Sequence, residues 1–297
     1  MKTILLIASA VIALWPAVPG VFAQERIQKK GGERPPAAPA AWAEPLAEPD
    51  GMKYRTFPSQ AAGAEVSYLI YLPPDYETAK TQRYPVVYWL HGIGGSQQGV
   101  PGITARLTSA IVAGKTPPFL MVFVNGMIRS SYVDSADGKI PVETVTIKEL
   151  IPHVDSTYRT VATRAGRMIE GFSMGGGGAA KWGFKHPDLF GSISIVDGAL
   201  HGSGDTSDRA TDTLERVYGG DKERFAANDP WKLAEKNADA VRGRTTIRVL
   251  TGSRMLTGTN TKYHELLDSL KLAHDFDVIA DAAHSPSPMY EGLGDKN

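Results

Sequence analysis

Residues 166–180 read Gly-Arg-Met-Ile-Glu-Gly-Phe-Ser-Met-Gly-Gly-Gly-Gly-Ala-Ala, and this stretch decides the predicted fold. Its apolar beginning, the Gly-Phe-Ser-Met-Gly pentapeptide at 171–175 and the small residues after it predict a strand, a sharp turn and a helix. In a nucleophile elbow the chain reverses so tightly that side chains two residues before and two after the serine would clash, so both positions require glycine. Ser173 would then project above a sheet at a helix N-terminus. The alternative is an ordinary glycine-rich turn, because a chain with 31 glycines produces this spacing by chance often enough that the surrounding sequence must decide.

Predicted strands and helices alternate on both sides of this turn. Besides the strand that enters the elbow, apolar or β-branched runs predict strands at 66–72, 84–90, 119–124, 190–196, 246–251 and 276–280. Helical spacing predicts helices at 103–113, 142–158, from the elbow to 185, at 207–217, 230–238 and 263–272. Strands without a polar face are typical of parallel sheets covered by helices on both sides. We therefore expect an α/β sandwich with a mostly parallel central sheet.

The N-terminal 50 residues do not resemble the rest of the chain. Lys2, the apolar run 4–18 and the small residues up to Ala23 predict a secretory signal peptide at 1–23, with an uncleaved anchor as the alternative. Residues 24–50 are rich in Pro, Ala and Glu, which predicts a leader or linker, and residues 51–297 would form the catalytic domain. The expected location is secreted or periplasmic.

The overall composition narrows the class of protein. There are no cysteines, so an exported domain must be held together by its core. Lys and Arg together number 32, as do Asp and Glu, and no long basic block favours nucleic acid or an anionic membrane. No spacing of histidines and carboxylates demands a metal, so we expect neither metal nor cofactor.

The candidate catalytic residues follow predicted strands, at the edge where ligands bind in parallel sheets. Ser173 needs a base to take its proton, and His284 is the best candidate, because it follows the last strand and the order in this kind of fold is serine, acid, histidine. A surface loop histidine is the alternative. Two backbone N–H groups must also hold the oxyanion. Met174 would supply one, and Ile93, in the loop His91-Gly-Ile-Gly-Gly95, the other.

Several motifs, taken together, resemble the esterase D-like family, which includes feruloyl and acetylxylan esterases, S-formylglutathione hydrolases and mycolyltransferases. They are Tyr-Leu-Pro-Pro-Asp-Tyr at 71–76, Tyr-Pro-Val-Val-Tyr-Trp-Leu-His-Gly at 84–92, Glu-Leu-Ile-Pro-His-Val-Asp at 149–155, Gly-Phe-Ser-Met-Gly-Gly at 171–176 and His-Pro-Asp-Leu-Phe at 186–190. The resemblance implies an α/β-hydrolase fold with Ser173 as nucleophile, His284 as base, and Ile93 and Met174 as oxyanion donors.

The chain departs from this family at the triad acid. The position that usually carries the aspartate, three residues after Gly252, holds Met255. Asp197 at the end of the strand after the elbow is our first candidate, Glu265 is the second, and a site without an acid is the third. The residues before the base read Ala282-Ala283, where the family usually has two glycines, and the closing helix expected after His284 is predicted to be missing.

The predicted function is that of an exported serine carboxylic-ester hydrolase working through an acyl-enzyme. The family analogy favours feruloyl or acetyl esters of plant cell-wall polysaccharides, present as small molecules or on the polymer. The alternatives are an acyltransferase of the mycolyltransferase type and a non-catalytic glycan-binding relative. We expect no nucleic-acid partner and no stable membrane association after cleavage, and the oligomeric state stays open.

Overall fold

The computed structural model describes residues 41–43, 46–49, 51–100, 102–252 and 255–294. They belong to one compact unit that runs from Pro39 to Asn297. The predicted signal peptide, 1–23, and most of the predicted leader lie outside the described residues. Among those that are described, no helix has both the length and the hydropathy that crossing a membrane requires.

The centre of the domain is one sheet of eight strands. They are β1 (Met52–Ser59), β2 (Ala64–Tyr71), β3 (Val86–Leu90), β4 (Leu120–Val124), β5 (Arg167–Phe172), β6 (Ser192–Val196), β7 (Thr246–Thr251) and β8 (Asp275–Val278). Their order across the sheet is β1-β2-β4-β3-β5-β6-β7-β8. Strands β3 to β8 are parallel, and the antiparallel strands β1 and β2 extend the sheet beyond β4. This mostly parallel sheet with surrounding helices is an α/β-hydrolase fold, as the sequence predicted.

Helices cover both faces of the sheet. They are α1 (Ile103–Val112), α2 (Val142–Thr144), α3 (Ile151–Thr157), α4 (Met174–Lys185), α5 (Asp208–Tyr218), α6 (Lys222–Ala227), α7 (Pro230–Val241), α8 (Thr257–Ser269) and α9 (Pro286–Leu293). Side chains from α3, α4, α7 and α8 form the larger core on one face, and α1 and α9 close the other face. Helices α5 and α6 add a small separate cluster. The five residues of β4 are all buried, as expected for a strand packed on both faces.

Helix α9 corrects one expectation from the sequence. A closing helix after His284 was predicted to be missing, and that prediction is wrong. Residues Pro286–Leu293 are helical and bury Met289, Tyr290 and Leu293. The Tyr290 hydroxyl donates to Glu170 Oε1 at 2.7 Å and accepts from Trp89 Nε1 at 3.1 Å. The helix is short and contains two prolines, and its docking to the sheet depends on these long-range contacts.

Part of the predicted leader packs onto the domain. Trp42 lies against the larger core, and its carbonyl oxygen accepts hydrogen bonds from the Ser67 N–H at 2.8 Å and from Asn125 Nδ2 at 2.9 Å. The packed region therefore begins inside the segment 24–50 that its composition assigned to a leader. The single helix predicted at 142–158 is interrupted, because a π-helical segment, Val145–Leu150, joins α2 to α3, which has Pro152 in its first turn.

Candidate active site

Ser173 lies in a strained turn between β5 and α4. Its backbone has φ 57° and ψ −115°, a conformation that a non-glycine residue adopts only when its surroundings impose it. A Cβ at Gly171 would overlap the carbonyl oxygen of Gly175, and a Cβ at Gly175 would overlap that of Leu90. The Ser173 N–H donates to the Val196 carbonyl at 3.0 Å. The turn therefore has the geometry of a nucleophile elbow, and the neighbouring glycines make it possible.

The same close approach continues along α4. A Cβ at Gly176 would lie 2.7 Å from Gly198 Cα, and one at Gly178 would lie 2.7 Å from the Tyr132 ring. The glycine run lets the first two turns of the helix press against the loop after β6 and against a buried aromatic side chain. It brings that loop, which carries Asp197, close to Ser173.

His284 contacts Ser173 through one ring nitrogen. It lies in the loop between β8 and α9, and its Nε2 is 2.9 Å from Ser173 Oγ. The imidazole packs against Phe172, with ring centroids 4.6 Å apart. The His284 side chain is 22% exposed, so a substrate can reach the ring.

Asp197 contacts the other ring nitrogen of His284. Asp197 Oδ2 is 2.6 Å from His284 Nδ1, and the carboxylate is fully buried. These partners place the imidazole proton on Nδ1, facing the carboxylate, and leave the Nε2 lone pair to accept from the serine hydroxyl. Glu265, the second candidate for the acid, lies exposed on α8. The structure thus brings Ser173, His284 and Asp197 into one line of hydrogen bonds.

Two residues that the sequence did not single out support Asp197. The Thr251 hydroxyl, at the end of β7, donates to Asp197 Oδ1 at 2.7 Å. The Asn260 side chain on α8 forms hydrogen bonds with both backbone groups of Gly198, the residue after Asp197. Its Oδ1 accepts from the Gly198 N–H, and its Nδ2 donates to the Gly198 carbonyl, each at 3.0 Å. Asp197 itself has φ 44°. The Asn260 contacts hold its chain in a conformation that would otherwise cost free energy.

The glycine-rich loop after β3, where the sequence predicts an oxyanion donor, lies close to Ser173. A Cβ at Gly92 would lie 3.3 Å from Ser173 Cβ, so the backbone next to Ile93 runs close to the serine. The Ile93 side chain is 49% exposed. Met174 is the first residue of α4, so its N–H points out of the helix end without an intrahelical acceptor.

His91 anchors this loop. Its Nδ1 donates to the Gly92 carbonyl at 2.8 Å, and its Nε2 accepts from the Gly126 N–H at 3.2 Å. Burial lowers the pKa of His91, which favours the neutral ring that this pair of hydrogen bonds requires. The residue holds the backbone in place and is engaged on both nitrogens.

A large cavity lies elsewhere on the sheet. It has a volume of about 1050 Å³ and is lined at the amino ends of β3, β5 and β6 by Pro85, Gly166 and Ser192, with Glu170 and Arg248 in its wall. Ser173, Asp197 and His284 do not line it. These three residues follow the carboxyl ends of β5, β6 and β8, so the cavity belongs to the opposite edge.

Comparison with known proteins identifies the relatives of this chain. A family model described as "Putative esterase" matches residues 59–286. Esterase Rv1288 of Mycobacterium tuberculosis (strain ATCC 25618 / H37Rv) is 35% identical over 148 residues, which cover 49% of this chain and 32% of that protein. Endo-1,4-beta-xylanase/feruloyl esterase of Xylanibacter ruminicola is 31% identical over 179 residues, covering 57% and 24%. The chain thus matches a third or less of the length of these curated relatives.

Solved structures with the same fold include two hydrolases. A ferulic acid esterase superposes with a TM-score of 0.67 at 22% identity, over 82% of this chain and 94% of its own. An S-formylglutathione hydrolase from Agrobacterium tumefaciens gives a TM-score of 0.65 at 18% identity, over 82% and 92%. At these identities the likeness establishes the fold of the domain.

Proposed function

The chain belongs to the family described as "Putative esterase", and from that membership we propose that it is a serine carboxylic-ester hydrolase acting through Ser173, His284 and Asp197. One observation carries the proposal. An unbroken line of hydrogen bonds runs from the buried Asp197 carboxylate through His284 to the Ser173 hydroxyl, with distances of 2.6 and 2.9 Å.

The first half of the proposed reaction forms an acyl-enzyme. Ser173 Oγ attacks the ester carbonyl carbon while its proton passes to His284 Nε2. The resulting imidazolium is stabilised by the Asp197 carboxylate. Collapse of the tetrahedral intermediate breaks the bond to the alcohol oxygen, which takes the proton from Nε2 and leaves as the alcohol.

The second half consumes water. His284 takes a proton from a water molecule that attacks the acyl carbon, and the second tetrahedral intermediate collapses to release the carboxylic acid and restore the Ser173 hydroxyl. In both intermediates the N–H groups of Ile93 and Met174 hold the oxyanion. The Met174 donor lies at the positive end of α4, which favours the developing negative charge. These steps use no cofactor.

We propose feruloyl or acetyl esters of plant cell-wall polysaccharides as substrates. The name of the Xylanibacter ruminicola relative, endo-1,4-beta-xylanase/feruloyl esterase, supports this class. A second support is the apolar character of the loops at the carboxyl edge. Ile93, Ile128 and Met255, which follow β3, β4 and β7, are exposed there. Exposed apolar side chains on the edge of the sheet that carries the nucleophile suit an aromatic acyl group.

We further propose that the protein acts in the periplasm or outside the cell after loss of residues 1–23. The apolar run 4–18 and the small residues at 21–23 support this location. N-terminal sequencing of protein recovered outside the cytoplasm should begin at Gln24. Recovery of full-length protein only from the cytoplasm would contradict the export proposal without affecting the chemistry.

A fluorophosphonate probe tests the chemistry directly. The probe should label wild-type protein at Ser173, and methyl ferulate and p-nitrophenyl acetate should both be hydrolysed. Ser173→Ala should lose labelling and at least about 10³-fold in kcat. No labelling together with no turnover would instead support a non-catalytic relative. Faster acyl transfer to an added sugar than to water would support an acyltransferase.

A further inference from the structure

Three potential metal ligands meet at the far end of α8, in a part of the chain that the proposed reaction does not use. His264 and Asp268 are four residues apart on α8, and His274 lies just before β8. One ligand atom from each of the three lies within 4.8 Å of the others. His264 Nδ1 is 2.7 Å from His274 Nε2, and His264 Nε2 is 3.5 Å from Asp268 Oδ2. Residues four apart share one face of a helix, so this spacing aims both side chains the same way.

The donors are already oriented by their neighbours. His274 Nδ1 donates to the Leu272 carbonyl at 2.7 Å, which leaves the Nε2 lone pair directed at His264. The other ring of the pair is fixed by stacking, because His264 lies nearly parallel to Phe276, with centroids 4.2 Å apart and planes inclined by 7°. Histidines that bind metals commonly donate their other ring N–H to a backbone carbonyl or carboxylate, which fixes the tautomer and the ring orientation.

We propose that His264, His274 and Asp268 bind a single Zn²⁺ ion. Two imidazole nitrogens and one carboxylate oxygen form a ligand set that zinc accepts, with water completing a tetrahedron. Two adjustments are required, because the rings of His264 and His274 now share a hydrogen bond and the Asp268 carboxylate faces the other nitrogen of His264. The rings must separate slightly so that the ion enters between them with bonds of about 2.0–2.1 Å, and the exposed Asp268 side chain must turn toward the same ion. Both rings are partly exposed, so the ion can enter from solvent.

The position of the cluster gives the ion a role in holding two elements together. Helix α8 also carries Asn260, whose side chain hydrogen-bonds to Gly198 beside Asp197. Strand β8 leads directly to the loop that contains His284. Among the described strands, β8 lies at the edge of the sheet and pairs with β7 alone. A metal that joins α8 to the start of β8 would stabilise the part of the domain that carries these supports. We therefore expect a structural effect on stability and none on the chemical step.

The test uses the whole chain without a histidine tag, treated with a chelator and then dialysed. Isothermal titration with ZnCl₂ should show one saturable site per chain. When the free zinc concentration is about a hundred times Kd, zinc should raise the midpoint temperature of thermal unfolding by about 5–10 °C. Co²⁺ in place of Zn²⁺ should give the visible absorption of a tetrahedral complex.

Variants identify the ligands. His264→Gln and His274→Gln should abolish saturable binding, and Asp268→Asn should weaken it at least about tenfold. Asp268 is 64% exposed, so its replacement leaves the fold intact. His201→Gln is the matched control. His201 and Asp205 are also four residues apart, and His201 Nδ1 lies 2.7 Å from Asp205 Oδ2. Among the described residues, no third potential ligand joins this pair in a cluster.

Three results would overturn the proposal. They are the absence of saturable binding to the wild type, binding that survives both histidine substitutions, and binding lost in His284→Gln but kept in His274→Gln. The last result would mean that zinc binds at the esterase site instead. Circular dichroism confirms that each variant is folded before titration, and the exposed Asp268 variant decides the matter if a histidine variant is unfolded.

Discussion

Asp197 is the candidate catalytic residue whose role the sequence left open. The family position for the triad acid holds Met255, and the choice between Asp197 and Glu265 could not be made from spacing. In the structure, the carboxylate against His284 is that of Asp197, 87 residues away in the chain. Parallel strands β6 and β8 deliver the two residues to the same edge from opposite sides of β7.

Exchanging each carboxylate for its amide separates the two candidates. Asp197→Asn should lower kcat by about 10⁴-fold with little change in KM, because the amide no longer stabilises the imidazolium and favours the wrong tautomer. Glu265→Gln is the matched control and should stay within about twofold of the wild type. Steady-state kinetics on p-nitrophenyl acetate measures both. Equal losses, or a loss confined to Glu265→Gln, would refute the assignment of the acid.

Thr251 is a positioning residue for Asp197. Its hydroxyl donates to Asp197 Oδ1, and a hydrogen bond to a charged group contributes about 1.5–3 kcal/mol. Thr251→Val keeps the shape and removes the donor, so kcat should fall by about tenfold or more while KM stays constant. Thr251→Ser restores the hydroxyl and should recover most of the activity. If serine is no better than valine at this position, the hydroxyl is not what matters.

At the scale of elements, the turn between β5 and α4 depends on backbone contacts that only glycine permits. Gly175→Ala would push a methyl group into the Leu90 carbonyl at the end of β3. We expect a loss of about 2–4 kcal/mol in the free energy of unfolding and a loss of activity, because β3 also leads into the oxyanion loop. Urea unfolding followed by circular dichroism measures the effect.

Gly258 provides the control for this substitution. It is exposed in the first turn of α8, and a methyl group on its Cα would meet nothing within 4 Å, so Gly258→Ala adds a side chain without a clash. The free energy of unfolding of this variant should stay within about 0.5 kcal/mol of the wild type. Similar stabilities for Gly175→Ala and the wild type would mean that the elbow can shift, against the rigid geometry described above.

The elements that the sequence predicted are those whose own residues determine them. Strand β7 has the predicted bounds, because all residues of Thr246–Thr251 except Arg248 are apolar or β-branched, and the elbow follows from its glycines. Strand β1 was not predicted, since it carries Lys53, Arg55 and Pro58 and buries few side chains. It exists through antiparallel pairing with β2 along its whole length. The residues of β1 alone therefore do not predict a strand, because its pairing depends on the sequence of β2.

The same limit explains what was missed in the site. Asn260 lay outside the predicted helix 263–272, and Thr251 looked like an ordinary strand residue. Their roles depend on contacts with the loop after β6. The three side chains of the proposed zinc site were not singled out either, because no spacing of histidines and carboxylates in the sequence demanded a metal. The third ligand, His274, joins the other two only because the turn at Lys271, with φ 56°, folds the chain back along α8.

At the scale of the whole molecule, a domain without cysteines depends on its two packed cores, and those cores contain many tyrosines. Burial raises the pKa of eight tyrosines, among them Tyr88, Tyr132, Tyr218, Tyr263 and Tyr290. In the unfolded chain these hydroxyls ionise near pH 10, whereas in the folded chain they stay protonated. Above pH 10 the unfolded state therefore binds fewer protons than the folded state, and the free energy of unfolding falls as the pH rises.

This difference in proton binding predicts cooperative alkaline unfolding. Each buried tyrosine lowers the free energy of unfolding by up to about 1.4 kcal/mol per pH unit above pH 10, so these five together remove up to about 7 kcal/mol per unit. That loss is comparable to the stability of an ordinary domain, about 5–15 kcal/mol. Lys181 acts in the opposite direction over a lower range. Burial lowers its pKa to about 8, so its contribution to stability rises between pH 8 and 10.5 and cannot offset the later loss. Tyrosinate absorbance and far-UV circular dichroism should therefore change together in one step at about pH 11–12. Lys181→Met should reduce the rise in stability below pH 10 and leave the alkaline unfolding step in place.

Full ionisation of the tyrosines at pH 11 with unchanged circular dichroism would contradict this prediction. It would show that hydroxide reaches the buried tyrosines without unfolding of the domain, and that burial of their hydroxyl groups does not limit its alkaline stability.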